Sequence, residues 1–594
     1  MCGIIGYIGK EDNALDKIIG SLEHLEYRGY DSSGIAYITD NKLNIIKEKG
    51  RIKNLKKGID FNNKSSLGIA HTRWATHGEA NKINAHPHKC GKITIVHNGI
   101  IENYNELKKE LSKLGYKFIS ETDTEVACAL FDSLYNKYKD INKMFIEFEK
   151  KVKGAYAIGL IIDDDYDNLY AIRKNSPLII GLSDDENFIA SDMPAILDYT
   201  KKYIVLDDGD FAKICFDNID IFDKNGIPIS KKIKTFEGDE NSMDKGNYNH
   251  FMEKEIYEQP DVIRKTSNNI MPDFKPYKKI NIVACGSAMH AGLIGKSLIE
   301  EYGNIPVDVD IASEFRYKKL FLDKDTLVIA ISQSGETADT LEAVKIAKSK
   351  GCDTLGIINV KESSIAREVD NVIYTDAGSE IAVATTKGYT SQVEVLAMIA
   401  HELAKRNDDV NKLKEFSRFL LDIKRLPLTM KQVLERNDEF KDIALDVYNK
   451  NDIFFIGRGI DYGIAMEGSL KLKEISYLHS EAYPAGELKH GTISLIEDGT
   501  PVFGIVTDKK VADKTISNLK EVKSRGAYVI YVTTKDLDTD GDFYDKKVVL
   551  PSTNPFLQPV ITILPLQLIA YNVARLNNCD IDKPKNLAKS VTVE

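Results

Sequence analysis

The sequence contains few cysteines and a single tryptophan for its length, and it lacks a long uninterrupted apolar run. Its 594 residues include seven cysteines, scattered along the chain without a Cys-x-x-Cys pair. This usage argues against a disulfide framework and favours a reducing, cytoplasmic compartment. The most apolar stretch, residues 560–574, carries polar residues and a proline, so it predicts a buried core helix rather than a membrane span. The N-terminus has no basic segment followed by an apolar one, so we expect no secretory signal peptide.

An excess of positive charge is also absent. Lys and Arg number 80 against 90 for Asp and Glu, which gives a formal net charge of -10. This balance argues against a protein that coats nucleic acid, because phosphate backbones favour a basic face. A local site for a small phosphate stays open. With 43% hydrophobic and 29% charged residues the composition is globular, and the length predicts about four domain-sized units.

The sequence pattern changes along the chain. The first third contains short apolar segments between Gly, Asn and Asp turns, with helical periodicity at 104–114 and 123–137, which predicts a layered α+β domain. A polar stretch at 224–261 indicates a linker. Beyond it, apolar runs alternate with long helical patterns, which is typical of parallel sheets. The predicted parts are a first domain at 2–223, a linker at 224–268, two α/β domains at 269–425 and 426–576, and a tail at 577–594.

An internal repeat relates the two predicted α/β domains. Residues 280–286 correspond to residues 453–459 with an offset of 173, and residues 327–332 correspond to residues 502–507 with an offset of 175. Each copy reads as a strand, a glycine-containing turn and a helix. The repeat therefore predicts two similar, doubly wound, flavodoxin-like subdomains.

The second residue, Cys2, is a candidate nucleophile. Removal of Met1, which is favoured before a small residue, would leave a thiol and a free α-amine on one residue. Because an α-amine has a pKa of about 8, it can act as a base for the thiol. Taken alone, however, Cys2 is better explained as a small residue in the first strand.

Three polar segments change that interpretation. They read His-Thr-Arg-Trp-Ala-Thr-His-Gly, His-Asn-Gly and Ser-Glu-Thr-Asp-Thr-Glu, and they stand at the ends of predicted strands. A thiol that hydrolyses an amide needs an oxyanion hole, which the Asn98 side chain and the Gly99 backbone N–H can supply. An α-amino acid needs a cation for its carboxylate and an anion for its amine, and Arg73 and Asp123 provide these. Together with Cys2, these groups fit one glutamine.

The same segments resemble the class II glutamine amidotransferase domain, an N-terminal-nucleophile hydrolase. The resemblance rests on Cys2-Gly3-Ile4-Ile5-Gly6, Leu25-Glu26-Tyr27-Arg28-Gly29-Tyr30-Asp31-Ser32, Thr72-Arg73-Trp74-Ala75-Thr76-His77-Gly78 and His97-Asn98-Gly99. Within that group, essentially the whole chain resembles the glutamine–fructose-6-phosphate aminotransferase (isomerizing) family. The resemblance implies an αββα fold for the first domain and a channel gate at Trp74. It implies glutamine contacts from Arg73, Thr76, His77 and Asp123.

A metal site is the alternative for the histidines of this region. The segment His86-Pro87-His88-Lys89-Cys90 has the composition of a ligand cluster. No second spaced pair such as Cys-x-x-Cys or His-Glu-x-x-His accompanies it, which favours structural histidines. The sequence therefore implies neither a metal nor an organic cofactor.

In the first α/β domain, the turn Ser-Gln-Ser-Gly-Glu-Thr at 332–337 follows a buried strand and opens a helix. Hydroxyls and backbone N–H groups at such a turn form an anion cradle suited to a sugar phosphate, although an ordinary strand–helix turn is the alternative. The corresponding turn of the second copy, 507–510, is acidic and charged, so we expect one phosphate site per chain. The pattern resembles the sugar isomerase (SIS) domain, present twice. This resemblance implies sugar-phosphate contacts from Ser287, Ser332, Gln333, Ser334, Thr337, Val383 and Ala588.

One position departs from the family pattern. Where members usually read Cys-Gly-Thr-Ser, this chain reads Cys-Gly-Ser-Ala at 285–288. The second hydroxyl, normally a sugar ligand, is therefore missing at Ala288, which puts one substrate contact in doubt.

A charged helix face carries the predicted isomerase chemistry. Glu467, Lys471 and Glu474 share one face of a predicted helix, although a solvated charge stripe is the usual reason for such spacing. The resemblance implies that Glu474 moves a proton between C1 and C2 of the sugar, with Lys471 beside it. It also implies that His490 opens the sugar ring and that Lys589 forms a Schiff base with the ketose.

The resemblance implies an enzyme that hydrolyses glutamine and uses the ammonia to convert fructose 6-phosphate into glucosamine 6-phosphate, on the route to UDP-N-acetylglucosamine. It implies a cytoplasmic homodimer with no nucleic-acid or membrane partner. Two alternatives stay open. Another glutaminase-coupled enzyme, such as an amidophosphoribosyltransferase, would need a phosphoribosyl-diphosphate loop, which we do not find. A non-catalytic sugar-phosphate sensor would not need Cys2 or a reactive tail.

Overall fold

The computed structural model describes residues 2–75, 77–236, 244–405 and 413–592. By their contacts, these residues divide into two units. The first contains the described residues of 1–240 together with 588–592, and the second contains the described residues of 241–587. The last residues of the predicted tail therefore group with the N-terminal domain, and the earlier ones group with the second unit.

The first unit contains two antiparallel sheets. Its strands are β1 (Gly3–Gly9), β2 (Ser32–Thr39), β3 (Lys42–Lys49), β4 (Leu67–Arg73), β5 (His88–Cys90), β6 (Ile93–Ile101), β7 (Gly154–Ile162), β8 (Asp165–Lys174), β9 (Ile179–Leu182), β10 (Glu186–Ala190), β11 (Lys202–Val205), β12 (Phe211–Ile214), β13 (Ile219–Phe222), β14 (Pro228–Ile229) and β15 (Lys234–Thr235). Its helices are α1 (Ala14–His24), α2 (Ile52–Lys56), α3 (Tyr104–Lys113), α4 (Asp123–Tyr138) and α5 (Ile141–Lys151). In hydrogen-bonded order the sheets run β15-β11-β9-β10-β1-β4-β2-β3 and β14-β13-β12-β8-β7-β6-β5.

The two sheets face each other and are covered by helices. Along β1, Ile4 and Ile8 belong to the core between the sheets, whereas Ile5 and Tyr7 belong to the core beneath α1 and α2. This alternation follows from the two-residue period of a strand. The second sheet likewise packs its other face against α3, α4 and α5. The result is the αββα layering implied by the family resemblance.

The second unit contains two parallel sheets. Its strands are β16 (Lys279–Ala284), β17 (Val307–Ile311), β18 (Thr326–Ser332), β19 (Asp353–Ile358), β20 (Asn371–Tyr374), β21 (Asp452–Gly457), β22 (His479–Pro484), β23 (Pro501–Val506), β24 (Tyr528–Thr534) and β25 (Lys546–Leu550). Its helices are α6 (Phe251–Thr266), α7 (Gly286–Leu298), α8 (Ala312–Phe315), α9 (Ala338–Ser349), α10 (Ser364–Glu368), α11 (Lys387–Ala404), α12 (Leu413–Leu434), α13 (Asn437–Val447), α14 (Ile460–Ser476), α15 (Ala512–Lys523) and α16 (Gln558–Leu576).

The two parallel sheets have the same strand order, β17-β16-β18-β19-β20 and β22-β21-β23-β24-β25. Within each copy this is the order 2-1-3-4-5 of flavodoxin-like folds, which confirms the predicted doubly wound repeat. In such sheets, ligands bind at the carboxyl ends of the first and third strands, where the strand order reverses. The turns after β16 and β18 occupy that place in the first copy.

Two sequence predictions differ from the structure. The stretch predicted as a linker at 224–268 contains β14, β15 and the helix α6, whose Met252, Ile256 and Ile263 are buried in the second unit. Many charged residues at its other positions hid this apolar face. The segments 71–73 and 97–99 lie inside β4 and β6 rather than after them, because both strands continue their ladders through these polar residues.

One helix among the described residues, α16, is long and apolar enough to cross a membrane by length and composition. Its residues 558–574 are buried in the core of the second unit. The prediction of a buried core helix at 560–574 is confirmed.

Candidate functional site

A small pocket in the first unit contains the predicted glutaminase residues. Its lining includes Cys2, Arg73, Trp74, Gly99 and Asp123. These residues come from the start of β1, the end of β4, β6 and the first turn of α4. The structure thus brings together groups that are separated by up to about 120 residues in sequence.

The Cys2 thiol is half-buried at this pocket. Its Sγ accepts a hydrogen bond from the Trp74 backbone N–H at 3.2 Å and lies 3.5 Å from the Trp74 carbonyl oxygen. Burial raises the pKa of the thiol, and the Trp74 hydrogen bond and the Arg73 cation offset this only in part. Because the thiolate is the nucleophile, a thiol with a raised pKa needs a base to become reactive.

Asn98 and Gly99 lie beside the thiol on β6. The Asn98 Nδ2 donates to the Cys2 carbonyl oxygen at 2.9 Å, so an amide donor contacts the backbone of the residue that carries the thiol. Gly99 has φ +129°, and a Cβ at this position would lie 2.0 Å from the Ala155 carbonyl oxygen of β7. Only glycine fits here, because both the conformation and the space exclude a side chain.

Arg73 and Asp123 are both nearly fully buried at the pocket. Asp123 begins α4, whose N-cap is Thr122, and its Oδ2 accepts from the Ile101 N–H at 2.8 Å. The guanidinium of Arg73 donates to the carbonyl oxygens of residues 77, 78 and 79. The loop that follows β4 therefore folds back over the predicted carboxylate-binding group.

The remaining predicted residues of this site have different surroundings. The ring of Trp74 packs edge-on against Tyr30 with centroids 6.0 Å apart. The ring of His77 packs edge-on against Tyr104 at 5.4 Å. Thr76 lies outside the described residues, so its predicted glutamine contact stays a prediction.

A cluster of buried histidines, His71, His86, His88 and His97, adjoins the pocket. Burial is the main cause that lowers the pKa of each, to about 3 for His71. These imidazoles are therefore neutral near pH 7. Within the part of the chain that the structure describes, no group of three or more His, Cys, Asp or Glu side chains is arranged to hold a metal ion.

In the second unit, the turn after β18 forms a compact network of hydroxyls. Ser332 Oγ lies 3.2 Å from Thr337 Oγ1 and accepts from the Gly335 N–H at 3.0 Å. Ser334 Oγ accepts from the Glu336 N–H at 3.2 Å. Gly335 has φ +66°, and a Cβ there would lie 1.9 Å from Ser363 Oγ. The turn therefore has the tight, glycine-dependent shape expected of an anion cradle.

Two further predicted sugar contacts belong to the same unit. Ser287 is buried in the first turn of α7, at the carboxyl end of β16. Val383 is buried, and its N–H donates to the Asp582 carbonyl oxygen at 3.0 Å. Ser287 therefore stands with the 332–337 turn at the two strand ends where a flavodoxin-like sheet binds its ligand.

The corresponding place in the second copy is occupied by a side chain of the protein itself. Asp461, in the first turn of α14, is fully buried, and its Oδ2 accepts from the backbone N–H groups of Thr507 and Asp508 at 2.8 and 3.1 Å. By the offset of 173 residues, Asp461 corresponds to Ala288 of the first copy. A carboxylate thus takes the backbone donors that an anion would need, which supports the expectation of one phosphate site per chain.

The predicted isomerase residues form a buried ion network on α14. Lys471 Nζ lies 2.5 Å from Glu474 Oε2 and 3.5 Å from Glu467 Oε1. Burial acts to lower the pKa of Lys471, but the carboxylates of Glu474 and Glu467 outweigh it and raise the pKa. Glu467 also bonds to His290 Nδ1 at 2.8 Å, which ties α14 to α7 of the first copy. Because Lys471 is buried and lies between two carboxylates, this face of α14 is not simply a charged surface exposed to solvent.

The last predicted residues lie in irregular segments. His490 is exposed at the end of a short 3₁₀ turn, Glu487–His490. Ala588 and Lys589 belong to the tail residues that group with the first unit. Their predicted roles toward the sugar stay predictions.

Two family models match the chain. The model described as a glutamine amidotransferase domain matches residues 71–198. The model described as a SIS domain matches residues 273–402 and again residues 446–576. The two SIS matches contain the two parallel sheets of the second unit.

Relatives match along the whole chain. The glutamine–fructose-6-phosphate aminotransferase (isomerizing) of Caldanaerobacter subterraneus subsp. tengcongensis is 47% identical over 613 residues, with 100% of both chains covered. The protein of the same name from Clostridium tetani is also 47% identical, over 614 residues and with the same coverage. This chain belongs to the glutamine–fructose-6-phosphate aminotransferase (isomerizing) family. The resemblance seen in the motifs is confirmed, and the chain is an enzyme of this family.

A solved structure also resembles this aminotransferase-family chain. The C-terminal domain of glucosamine-fructose-6-phosphate aminotransferase from Francisella tularensis aligns with a TM-score of 0.55 and 38% identity, over 57% of this chain and 99% of that chain. The predicted fold class, a glutamine amidotransferase domain followed by two SIS domains, is confirmed.

Sequence reasoning missed several groups at both sites. The histidines of this region were interpreted as structural residues, although His86 and His97 line the pocket. Sequence reasoning did not identify His290 as the partner of Glu467, or Asp461 as the group that fills the second copy. The repeat offset could have found Asp461, because it aligns an acid with Ala288, but nothing in the spacing pairs α7 with α14.

Proposed function

We propose that this chain makes glucosamine 6-phosphate from fructose 6-phosphate and glutamine. The observation that carries the proposal is the pocket lined by Cys2, Gly99 and the buried Arg73 and Asp123, with the Asn98 amide bonded to the Cys2 backbone beside it. An ordinary strand end would not collect a nucleophile, an oxyanion donor and two opposite charges in one place. The name borne by relatives at full-length coverage supports the same activity.

In the first reaction, Cys2 attacks the side-chain amide carbon of glutamine. Arg73 holds the substrate carboxylate and Asp123 its α-amine, while Asn98 Nδ2 and the Gly99 N–H stabilise the oxyanion. The raised pKa of the thiol requires a base, and the α-amine of Cys2, once Met1 is removed, takes the thiol proton and returns it to the leaving ammonia. Water then hydrolyses the thioester and releases glutamate.

In the second reaction, the ammonia replaces the C2 carbonyl oxygen of the sugar. The residues at 332–337, with Ser287, Val383 and Ala588, bind the sugar phosphate. His490 opens the ring, and Lys589 forms the Schiff base that ammonia displaces. Glu474, beside the charged Lys471, then moves a proton from C1 to C2, which yields the 2-amino aldose.

Ammonia must reach the sugar as the free base. In water near pH 7 it would be protonated and lose its nucleophilicity, so we propose direct transfer with Trp74 as the gate. Trp74 suits this role because its backbone N–H donates to the thiol that attacks the amide, so it lies beside the carbon from which ammonia leaves. We further propose a cytoplasmic homodimer, which sedimentation analysis of the purified chain would test.

The first reaction is tested by replacing Cys2 with alanine. We expect glutamine hydrolysis, and with it glutamine-dependent synthesis of glucosamine 6-phosphate, to disappear while the protein still binds fructose 6-phosphate. Undiminished hydrolysis in Cys2→Ala would end the assignment. For the tail, borohydride reduction in the presence of fructose 6-phosphate should label Lys589, and a label on a different lysine would move the Schiff base there.

A further inference from the structure

We infer that His71 is a positioning residue for glutamine hydrolysis: its Nε2–H fixes the Asn98 side chain so that the amide donor faces Cys2. The inference rests on the proposed glutaminase function and deepens it. It concerns a residue of the buried histidine cluster, which is not needed to bind the substrate or to attack it.

The protonation of His71 follows from its neighbours. Its Nε2 lies 3.0 Å from the His97 carbonyl oxygen and 3.1 Å from Asn98 Oδ1. A carbonyl oxygen can only accept, so Nε2 must carry the hydrogen. The other ring nitrogen, Nδ1, has no hydrogen-bond partner among the described residues. His71 is therefore a neutral donor with one defined tautomer.

This tautomer decides which way the Asn98 amide points. With Oδ1 held by His71, the Nδ2 group donates to the Cys2 carbonyl oxygen at 2.9 Å. The flipped amide would place its NH₂ against the His71 donor and its oxygen against the Cys2 carbonyl oxygen, which would lose both bonds. It would also turn an acceptor toward the place where negative charge develops in the oxyanion.

The His71 ring is itself held in place by packing. It stacks on His86 with ring centroids 4.0 Å apart, and His86 in turn lies nearly parallel to His97. His71 comes from β4 and Asn98 from β6, so the contact joins the two facing sheets of the first unit. Oxyanion donors act best when they are preorganised, and this cluster supplies a rigid support.

Two substitutions separate the hydrogen bond from the packing. His71→Phe keeps a ring that can stack on His86 but removes the Nε2–H. His71→Gln loses the ring but can place an N–H donor near the same position. We expect kcat for glutamine hydrolysis to fall about 10-fold to 100-fold in His71→Phe, with KM changed less than about threefold, and to recover largely in His71→Gln. The fall should be smaller than the roughly 10²–10³-fold loss expected on removing the oxyanion donor itself, as in Asn98→Ala.

The double variant with His71→Phe and Asn98→Ala distinguishes a role through Asn98 from a purely structural role of His71. If His71 acts through Asn98, His71→Phe adds no further loss in kcat to Asn98→Ala. A kcat that is unchanged in His71→Phe, or losses that multiply in the double variant, would overturn the inference. Borohydride trapping of fructose 6-phosphate by the same full-length variants reports whether the sugar site is intact, and a melting curve reports on the folding of the first unit.

The outcome also separates this inference from the proposed function. If the wild-type chain hydrolyses glutamine, Cys2→Ala does not and His71→Phe equals wild type, only the positioning role is wrong. If Cys2→Ala hydrolyses glutamine like wild type, the proposed function fails and the role of His71 fails with it.

Discussion

The buried carboxylate of Asp461 should make the second unit less stable as the pH rises. Burial raises the pKa of this group to about 7, and the neighbouring Asp508 acts in the same direction, although the hydrogen bonds from Thr507 and Asp508 oppose it. In the unfolded chain an aspartate has a pKa of about 3.9. The folded protein therefore holds the proton over a pH range in which the unfolded chain has released it.

The substitution Asp461→Asn removes the ionisation and can keep the hydrogen bonds. Both backbone donors reach the same oxygen, Oδ2, and the Thr507 hydroxyl bonds to the other one. An asparagine can place its carbonyl oxygen on the two N–H groups and its NH₂ on the hydroxyl, which is able to accept. The variant thus changes charge while preserving the local contacts.

The size and sign of the effect follow from linkage. The pKa of Asp461 is higher in the folded state than in the unfolded state. Through this group, the free energy of unfolding of the wild type therefore falls between about pH 4 and pH 7 and stays constant above pH 7. Between a pKa of about 3.9 and one of about 7, the full loss is about 4 kcal/mol. From pH 5 to pH 8, Asp461→Asn should therefore gain about 3 kcal/mol relative to wild type.

Urea unfolding of the full chain at pH 5 and pH 8 measures this difference. Asp513→Asn, a change at an exposed aspartate of α15, serves as the matched control and should show little change between the two pH values. A stability difference between Asp461→Asn and wild type that is the same at both pH values would refute the reasoning. So would an Asp461→Asn protein that is less stable than wild type at pH 8.

Two further predictions concern the sugar site. In Gly335→Ala the new Cβ would collide with Ser363 Oγ, and the backbone conformation with φ +66° disfavours a side chain. We therefore expect KM for fructose 6-phosphate to rise at least about 10-fold while glutamine hydrolysis is unchanged. An unaltered KM would show that the turn is not the phosphate cradle. In Glu474→Gln the Lys471 ion pair is lost but the side-chain shape is kept, so glutamine-dependent glucosamine 6-phosphate formation should fall at least about 100-fold without loss of glutaminase activity. A small effect on synthesis would remove Glu474 from the proton transfer.

The sequence allowed the fold to be predicted because its signals are local. The repeat offset of 173 residues and the alternation of apolar runs with helices predict two doubly wound copies, and the strand order bears this out. The same local reasoning failed at residues 224–268, where charged positions concealed the apolar face of α6. It also ended β6 too early, because a polar His-Asn-Gly segment can continue a ladder when its partner strand accepts it.

The site could be predicted only as far as residue types imply chemistry. Cys2, Arg73, Asn98 and Asp123 were found because hydrolysis of an amino acid amide needs a nucleophile, a cation, an oxyanion donor and an anion. The contact of His71 with Asn98 depends on how two sheets stack, and the pair of His290 with Glu467 depends on how two repeats meet. Neither contact can be predicted from the spacing of residues in the sequence.

In the proposed function, one chain couples glutamine hydrolysis to amination of the sugar. The direct measurement uses glutamine labelled with nitrogen-15 in its side-chain amide, together with fructose 6-phosphate and excess unlabelled ammonium, and mass spectrometry of the product. We expect glucosamine 6-phosphate that carries the label in its amino group, because ammonia passes from the Cys2 site to the sugar without mixing with solvent. Unlabelled product, or glutamate formed without any amino sugar, would contradict it.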